Sequence, residues 1–271
     1  MNLSEANSTT VPDLFGLYVG LSALSAFNFL VGLPANCYVV WLIASRAGGA
    51  MASELFAFNL AISEILFCLS SIYIILSFFL DLSAEVVMMV IRGLSEFLFM
   101  SRPIFQSCIC LERYLAVVHP VLFLRFKPLR YRVSCCVMDW LLVMLHCMTL
   151  FMDSLLETVY LTIAESLFFL VFMSYCGISV LCVLHQPGPG DGGREQGNDM
   201  KKKAFKIIVI HLAFTIVTHL PTVVITPFML GVSWQVVVVV MLVSLSIDTV
   251  SGFVTPLLYL HRVGKLPFLK F

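Results

Sequence analysis

The sequence predicts an all-α membrane protein, a seven-transmembrane helix bundle with its N-terminus outside and a short cytosolic tail. Three observations lead there. Hydrophobic residues make up 60% of the 271 and charged residues only 12%, about half the ~25% charged share of a soluble domain, and the mean hydropathy is +1.00. Apolar stretches recur along the chain, each near or above the ~20 residues that cross a bilayer. The 16 Lys and Arg, matched in sum by 16 Asp and Glu, collect in alternate links between those stretches.

The N-tail, residues 1–16, opens with the polar run MNLSEANSTT. It lacks the basic start of a secretory signal, so no cleaved peptide is expected. Asn2 and Asn7 head the acceptor sequons Asn-Leu-Ser and Asn-Ser-Thr, which favours an outside, glycosylated tail. The bundle, residues 17–260, divides into spans at about 17–44, 54–80, 86–118, 133–152, 158–185, 203–229 and 235–260. Charge interrupts the third and seventh. Arg46 lies in the first link, Arg125, Lys127, Arg130 and Arg132 in the third, and Lys201, Lys202 and Lys203 close the fifth, after the breaker-rich run Gln186-Pro-Gly-Pro-Gly-Asp-Gly-Gly. With the N-terminus outside, these links and the tail 261–271 face the cytosol, as the positive-inside rule requires. Arg92 and Arg102 are the exceptions, both within the third span, while the outer segments hold Glu5, Asp13, Asp81, Glu85, Asp153 and Glu157 and no base. The expected location is the plasma membrane, multi-pass and in contact with lipid.

At the foot of the third span stands Glu112-Arg113-Tyr114. An arginine at a membrane edge is costly unless paired or at the interface, and Glu112 is its nearest candidate partner. The nine cysteines fall inside apolar segments or at their cytosolic ends, so no disulfide framework is expected and they read as small buried hydrophobes. The six histidines are scattered. With no nucleophile–base arrangement, metal-ligand spacing, phosphate-cradling glycine loop or nucleic-acid pattern in the chain, neither an enzyme, a cofactor, a metal nor a nucleic-acid partner is expected.

Further motifs occur in fixed order: Gly32-Leu33-Pro34-Ala35-Asn36, Asn59-Leu60-Ala61-Ile62-Ser63-Glu64, Trp140, Pro221, and Thr255-Pro256-Leu257-Leu258-Tyr259. With Glu112-Arg113-Tyr114 they resemble the marks of the rhodopsin-like G-protein-coupled receptors, over nearly the whole chain. The phrasing His119-Pro120-Val121 with Lys127 to Arg132 looks most like the branch of nucleotide, protease-activated and hydroxycarboxylic-acid receptors. The resemblance implies a heterotrimeric G protein as partner and an extracellular ligand as input. It implies that Glu112 holds Arg113 at rest, that the sixth span swings about Pro221, and that Tyr175 and Tyr259 help line the cleft opened for the G protein. Tyr175 and Tyr259 also fit as interfacial aromatics.

Departures from the family pattern carry their own information. The aspartate of the second span and serine of the third, which hold a sodium ion in the family, are here Glu64 and Arg102. Asn36, Glu64, Arg102, Asp248 and Thr255 are expected to form a buried polar core in which a Glu64–Arg102 pair replaces the ion, with Asp248 a second candidate partner. His219 replaces the tryptophan two residues before Pro221, and Thr215 the aromatic below it. Both ends of the family's outer disulfide are missing, with Met88 at one of the positions.

A ligand pocket is expected from Arg92, Ser95, Glu96 and Phe99 on the third span, joined by Glu165, His219, Thr222 and Thr226. Arg92 and Glu96 are four apart and can neutralise one another. If Arg92 is free, an acidic small metabolite or lipid is the preferred ligand. Two other functions compete: a non-signalling receptor-like scaffold, suggested by the lost disulfide and tryptophan, and a proton or ion transporter, suggested by the midplane charges. No internal repeat of the transporter kind is visible.

Overall fold

A computed structural model describes residues 14–45, 54–79, 84–148, 155–185, 195–231 and 234–263, and all of these segments are helical. The first rod comprises α1 (Leu14–Phe27), a π-turn (Asn28–Gly32) and α2 (Leu33–Ser45). Pro34 explains the π-turn. A proline ring inside a helix clashes with the carbonyl four residues back, and widening the turn avoids this, so that the Leu33 N–H reaches the Asn28 carbonyl five residues away.

The chain continues through α3 (Leu55–Phe79), α4 (Ala84–Val118) and the short α5 (Pro120–Phe126). Then come α6 (Leu129–Cys147), α7 (Leu155–His185), α8 (Glu195–Ile225) with a 3₁₀ extension (Thr226–Gly231), and α9 (Trp234–Arg262). Two starts differ from the expected spans. α6 begins directly after Pro128, a residue suited to a helix entrance, so Arg130 and Arg132 lie on the helix rather than before it. α8 begins at Glu195 because the polar run Glu195 to Lys203 is itself helical.

Packing closes the helices into a ring around α4. Each of α3, α6, α7 and α9 touches α4, α7 packs along α8, and α9 returns to α1 and α2. One core lies between α3, α4, α6 and α7, where Leu60, Ile104, Phe105, Val143, Phe169 and Met173 are buried. A second joins α2, α3 and α9 through Val39, Ile43, Ala61, Tyr259 and Leu260.

Among the described residues, Ser22–Ser45, Val159–His185 and Ile208–Phe228 are long and apolar enough to cross a membrane. Leu55–Leu69 is apolar but shorter. The outer surface is apolar too, with Leu30, Trp41, Leu145 and Phe168 exposed. A helix hydrophobic on its outward face needs lipid or protein around it.

Candidate functional site

The functional side chains are strung along α4, the central helix. Glu96, Arg102 and Glu112 follow one another in its sequence, about 9 and 15 Å apart along the axis at 1.5 Å per residue. Each meets partners from different helices.

In the middle, Arg102 donates from Nε to Glu64 Oε1 at 2.6 Å and from Nη2 to Glu64 Oε2 at 2.8 Å. The two side chains are 4% and 2% exposed, so the pair is fully out of solvent. A single guanidinium at a bilayer centre costs about 2.5–3.5 kcal/mol on insertion scales, and two parallel charge-assisted bonds offset that where one bond does not. Gly252 of α9 supplies the room. A Cβ there would stand 2.7 Å from Glu64 Oε2 and 2.8 Å from Arg102 Nη2, closer than non-bonded atoms approach. Asn36 is buried on α2 and donates from Nδ2 to the Gly32 carbonyl at 3.0 Å. Thr255 is half-buried and Pro256 buried on α9. The side chain of Asp248, named with this group from the sequence, lies outside the described residues.

At the end of α4, Arg132 of α6 donates from Nη2 to Glu112 Oε1 at 2.8 Å. The arginine is 6% exposed and its guanidinium stands 6.0 Å from the Phe123 ring of α5. In the sequence Arg132 is one of a run of topological charges, and nothing there discloses this contact. Tyr114 meets His119 through its hydroxyl at 3.1 Å, and its ring centroid lies 5.8 Å from that of Tyr175 on α7, which is itself exposed. Arg113 is half-buried and also engaged. Tyr259 is buried and donates its hydroxyl to the Glu54 carboxylate at the start of α3.

In the first half of α4, Glu96 Oε2 lies 3.0 Å from His146 Nε2, and Glu165 Oε1 of α7 lies 3.1 Å from His146 Nδ1. Phe99 stacks on the imidazole with centroids 6.0 Å apart. The expected pocket residues therefore divide. Glu96 and Glu165 meet across His146, which in the sequence is only one scattered histidine. Phe99, His219 and Thr222 turn instead toward α8 and α9. There a small cavity, about 20 Å³, is lined by Phe99, Arg102, Gln106, Thr215, His219 and Ser251, and another of similar size includes Thr222 and Pro221. His219 is 3% exposed and lies against Phe169, Thr222 donates to the Thr218 carbonyl at 3.3 Å, and Thr226 is buried in the 3₁₀ turn. The side chains of Arg92, Ser95 and Met88, and the whole of Asn2 and Asn7, lie outside the described residues.

Trp140 anchors α6 to α3. Its Nε1 donates to Asn59 Oδ1 at 2.9 Å while Asn59 donates from Nδ2 to the Leu55 carbonyl at 2.8 Å.

No family model matches the chain. Receptors recur among its relatives. The purinoceptor 4 of Xenopus laevis is 30% identical over 121 residues, covering 43% of this chain and 22% of that protein. The human (Homo sapiens) proteinase-activated receptor 3 is 27% identical over 135 residues, 48% of this chain and 36% of its own length. The G-protein coupled receptor 183 of Salmo salar is 32% identical over 127 residues, with 45% and 34% covered. The chain thus spans about a third or less of the length of these curated relatives. Shared by several receptors of one kind, the likeness identifies the chain as a member of the rhodopsin-like G-protein-coupled receptors.

Proposed function

We propose that the protein is a plasma-membrane receptor that passes an extracellular signal to heterotrimeric G proteins. In this reading the chain crosses the membrane seven times, with residues 1–16 outside, residues 17–260 forming the bundle and residues 261–271 a cytosolic tail. The observation that carries it is the cluster at the end of α4, where Glu112, Arg113 and Tyr114 meet Arg132 of α6 and Tyr175 of α7. In family members an Arg flanked by an acid and a Tyr at this point forms the output switch. Here Glu112 has Arg132 as a partner beside its neighbour Arg113, so α6 and α5 join the resting contact.

Movement of α8 about Pro221 and of α9 about Pro256 supplies the second state. Each proline leaves a carbonyl one turn earlier without its intrahelical donor, which makes bending there cheap. Tyr259 and Tyr175 are the side chains we assign to the opened cleft, and leaving Glu54 is the step that Tyr259 must take. A ligand acts by contacting one of the two states better than the other.

The Glu64–Arg102 pair occupies the place where relatives of this kind hold sodium, and we assign it the ion's structural role, with Asn36, Asp248 and Thr255 around it. For the ligand we prefer a small acidic metabolite or lipid headgroup held by Arg92, with Ser95, Phe99, Thr222 and Thr226 nearby. The carboxylate of Glu96 has a partner other than Arg92 in His146, which supports an anion-binding role for the arginine.

The test is nucleotide exchange on G proteins in membranes carrying the parent or Arg113→Ala. Ligand-independent exchange above empty membranes that Arg113→Ala abolishes supports coupling. Equal exchange in parent, variant and empty membranes across the G-protein classes would point to the non-signalling scaffold, and ion flux in liposomes to the transporter. Sodium titration of the same membranes is expected to leave exchange unchanged.

A further inference from the structure

His146 is the most informative side chain that the coupling role does not use. It sits inside the bundle, 6% exposed, on a helix whose neighbours are apolar. Both of its ring nitrogens face carboxylate oxygens, Nε2 toward Glu96 at 3.0 Å and Nδ1 toward Glu165 at 3.1 Å. A neutral imidazole carries one N–H and one lone pair, and an ionised carboxylate carries only lone pairs. Between two ionised carboxylates a neutral ring can therefore make one hydrogen bond, and its other nitrogen is left lone pair against lone pair. The observed geometry needs one more proton than that, on the second ring nitrogen or on the carboxylate facing it.

We propose that Glu96, His146 and Glu165 form a proton-binding site that ties α4, α6 and α7 together. In its singly loaded state the ring donates to both carboxylates, and the triad carries a net charge of minus one. There is also a place for a second proton. Glu165 Oε2 is buried and has no hydrogen-bond partner among the described residues, so protonation there neutralises the triad without disturbing either contact to the ring. Unloading the site removes one of the two contacts and uncouples α6 from α4 or from α7. The ligand of this site is the proton itself.

The surroundings leave this role to the triad. From α4 the ring meets Glu96 and the apolar face of Phe99; Arg92, one turn before Glu96, has its side chain outside the described residues. From α6, the Cys147 thiol is within electrostatic reach of Glu96. From α7 the charged group is Glu165. α8 turns His219 against Phe169, and the Glu64 of α3 is engaged by Arg102. The three residues do not make a metal site, because the two carboxylates lie on opposite nitrogens of the ring and cannot close on one ion with it.

The experiment uses the full chain in phosphatidylcholine nanodiscs, with its histidine ring nitrogens isotope-labelled for NMR and infrared spectra taken on the same samples. At neutral pH one of the six histidines is expected to show either two ring N–H groups or one N–H with a neutral carboxyl band, and that signal disappears in His146→Gln. Raising the pH removes the proton in a single step, and thermal stability falls through the same step, because the packed state binds more protons than the open one. Glu96→Gln and Glu165→Gln each return the ring to a single N–H at neutral pH and flatten that stability step. A parent His146 with one N–H between two ionised carboxylates at neutral pH overturns the proposal. So does a pH profile of stability that is the same in parent, Glu96→Gln and Glu165→Gln. If the substituted chains fail to fold, the parent spectra alone decide. None of these readouts depends on G-protein coupling, so the site and the receptor reading stand or fall separately.

Discussion

Arg132 of α6 holds the carboxylate of Glu112, its Nη2 2.8 Å from Oε1, at the end of the helix that carries Arg113. Because Arg132 is 6% and Glu112 14% exposed at the side chain, solvent screens this pair little. A double-mutant cycle with Glu112→Gln and Arg132→Gln, read by thermal unfolding, is expected to give a coupling of about 1–3 kcal/mol. A coupling near zero would mean the two side chains do not stabilise one another in the folded chain.

The Glu64–Arg102 pair makes a sharper prediction. Glu64→Gln or Arg102→Gln alone strands a charge in the core and should cost about 3–5 kcal/mol, enough to remove most folded protein from detergent extracts. The double substitution removes both charges and should recover much of that loss. Purified yield and melting temperature of the three variants check it, and a double variant no better than either single one sinks it.

Gly252 and Gly177 form a controlled comparison. At Gly252 a methyl group collides with both members of the buried pair, whereas at Gly177 it meets only Leu212 Cδ1 at 3.7 Å, an ordinary contact. Gly252→Ala is expected to destabilise by about 1–3 kcal/mol, the usual cost of overpacking. Gly177→Ala should be neutral or slightly stabilising, since Ala is the better helix former. Equal melting temperatures for the two variants would show that α9 shifts to make room.

Trp140→Phe keeps the ring packing against Phe105, with centroids 5.2 Å apart in the parent, and deletes the N–H that Asn59 accepts. Interhelical hydrogen bonds in membrane proteins average about 0.6 kcal/mol, so the loss should be small and well below that of the charged pairs. A loss as large as that of Arg102→Gln would show that the indole does more than donate one bond.

What can be read from the sequence follows from how far apart the interacting residues are and how singular they look. Glu64 and Arg102 are legible as partners because both stand where the family pattern expects other residues, and a lone buried charge demands an opposite one. Arg132 is not: it lies in a basic run that membrane topology already explains, and Glu112 is 20 residues away across α5. His146 is 50 residues from Glu96 and 19 from Glu165. No helical period links such positions, and a single histidine among apolar residues offers no sign of what it faces. The pocket set does not stay together for a related reason. Spacing along α4 fixes which residues share a face, but Glu165 and His219 come from helices that approach α4 from different sides. The early start of α6 does have a signal in Pro128, which a boundary drawn by hydropathy passes over.

The pairing of Glu64 with Arg102 also bears on how the chain enters a bilayer. The two residues belong to consecutive helices, α3 and α4, joined by residues 80–83. Neither helix can leave the insertion machinery for lipid alone without exposing a full charge to hydrocarbon. Released together as a hairpin, they present a neutral dipole between them and an apolar outside. Biogenesis of this protein is thereby committed to moving its second and third long helices as one unit.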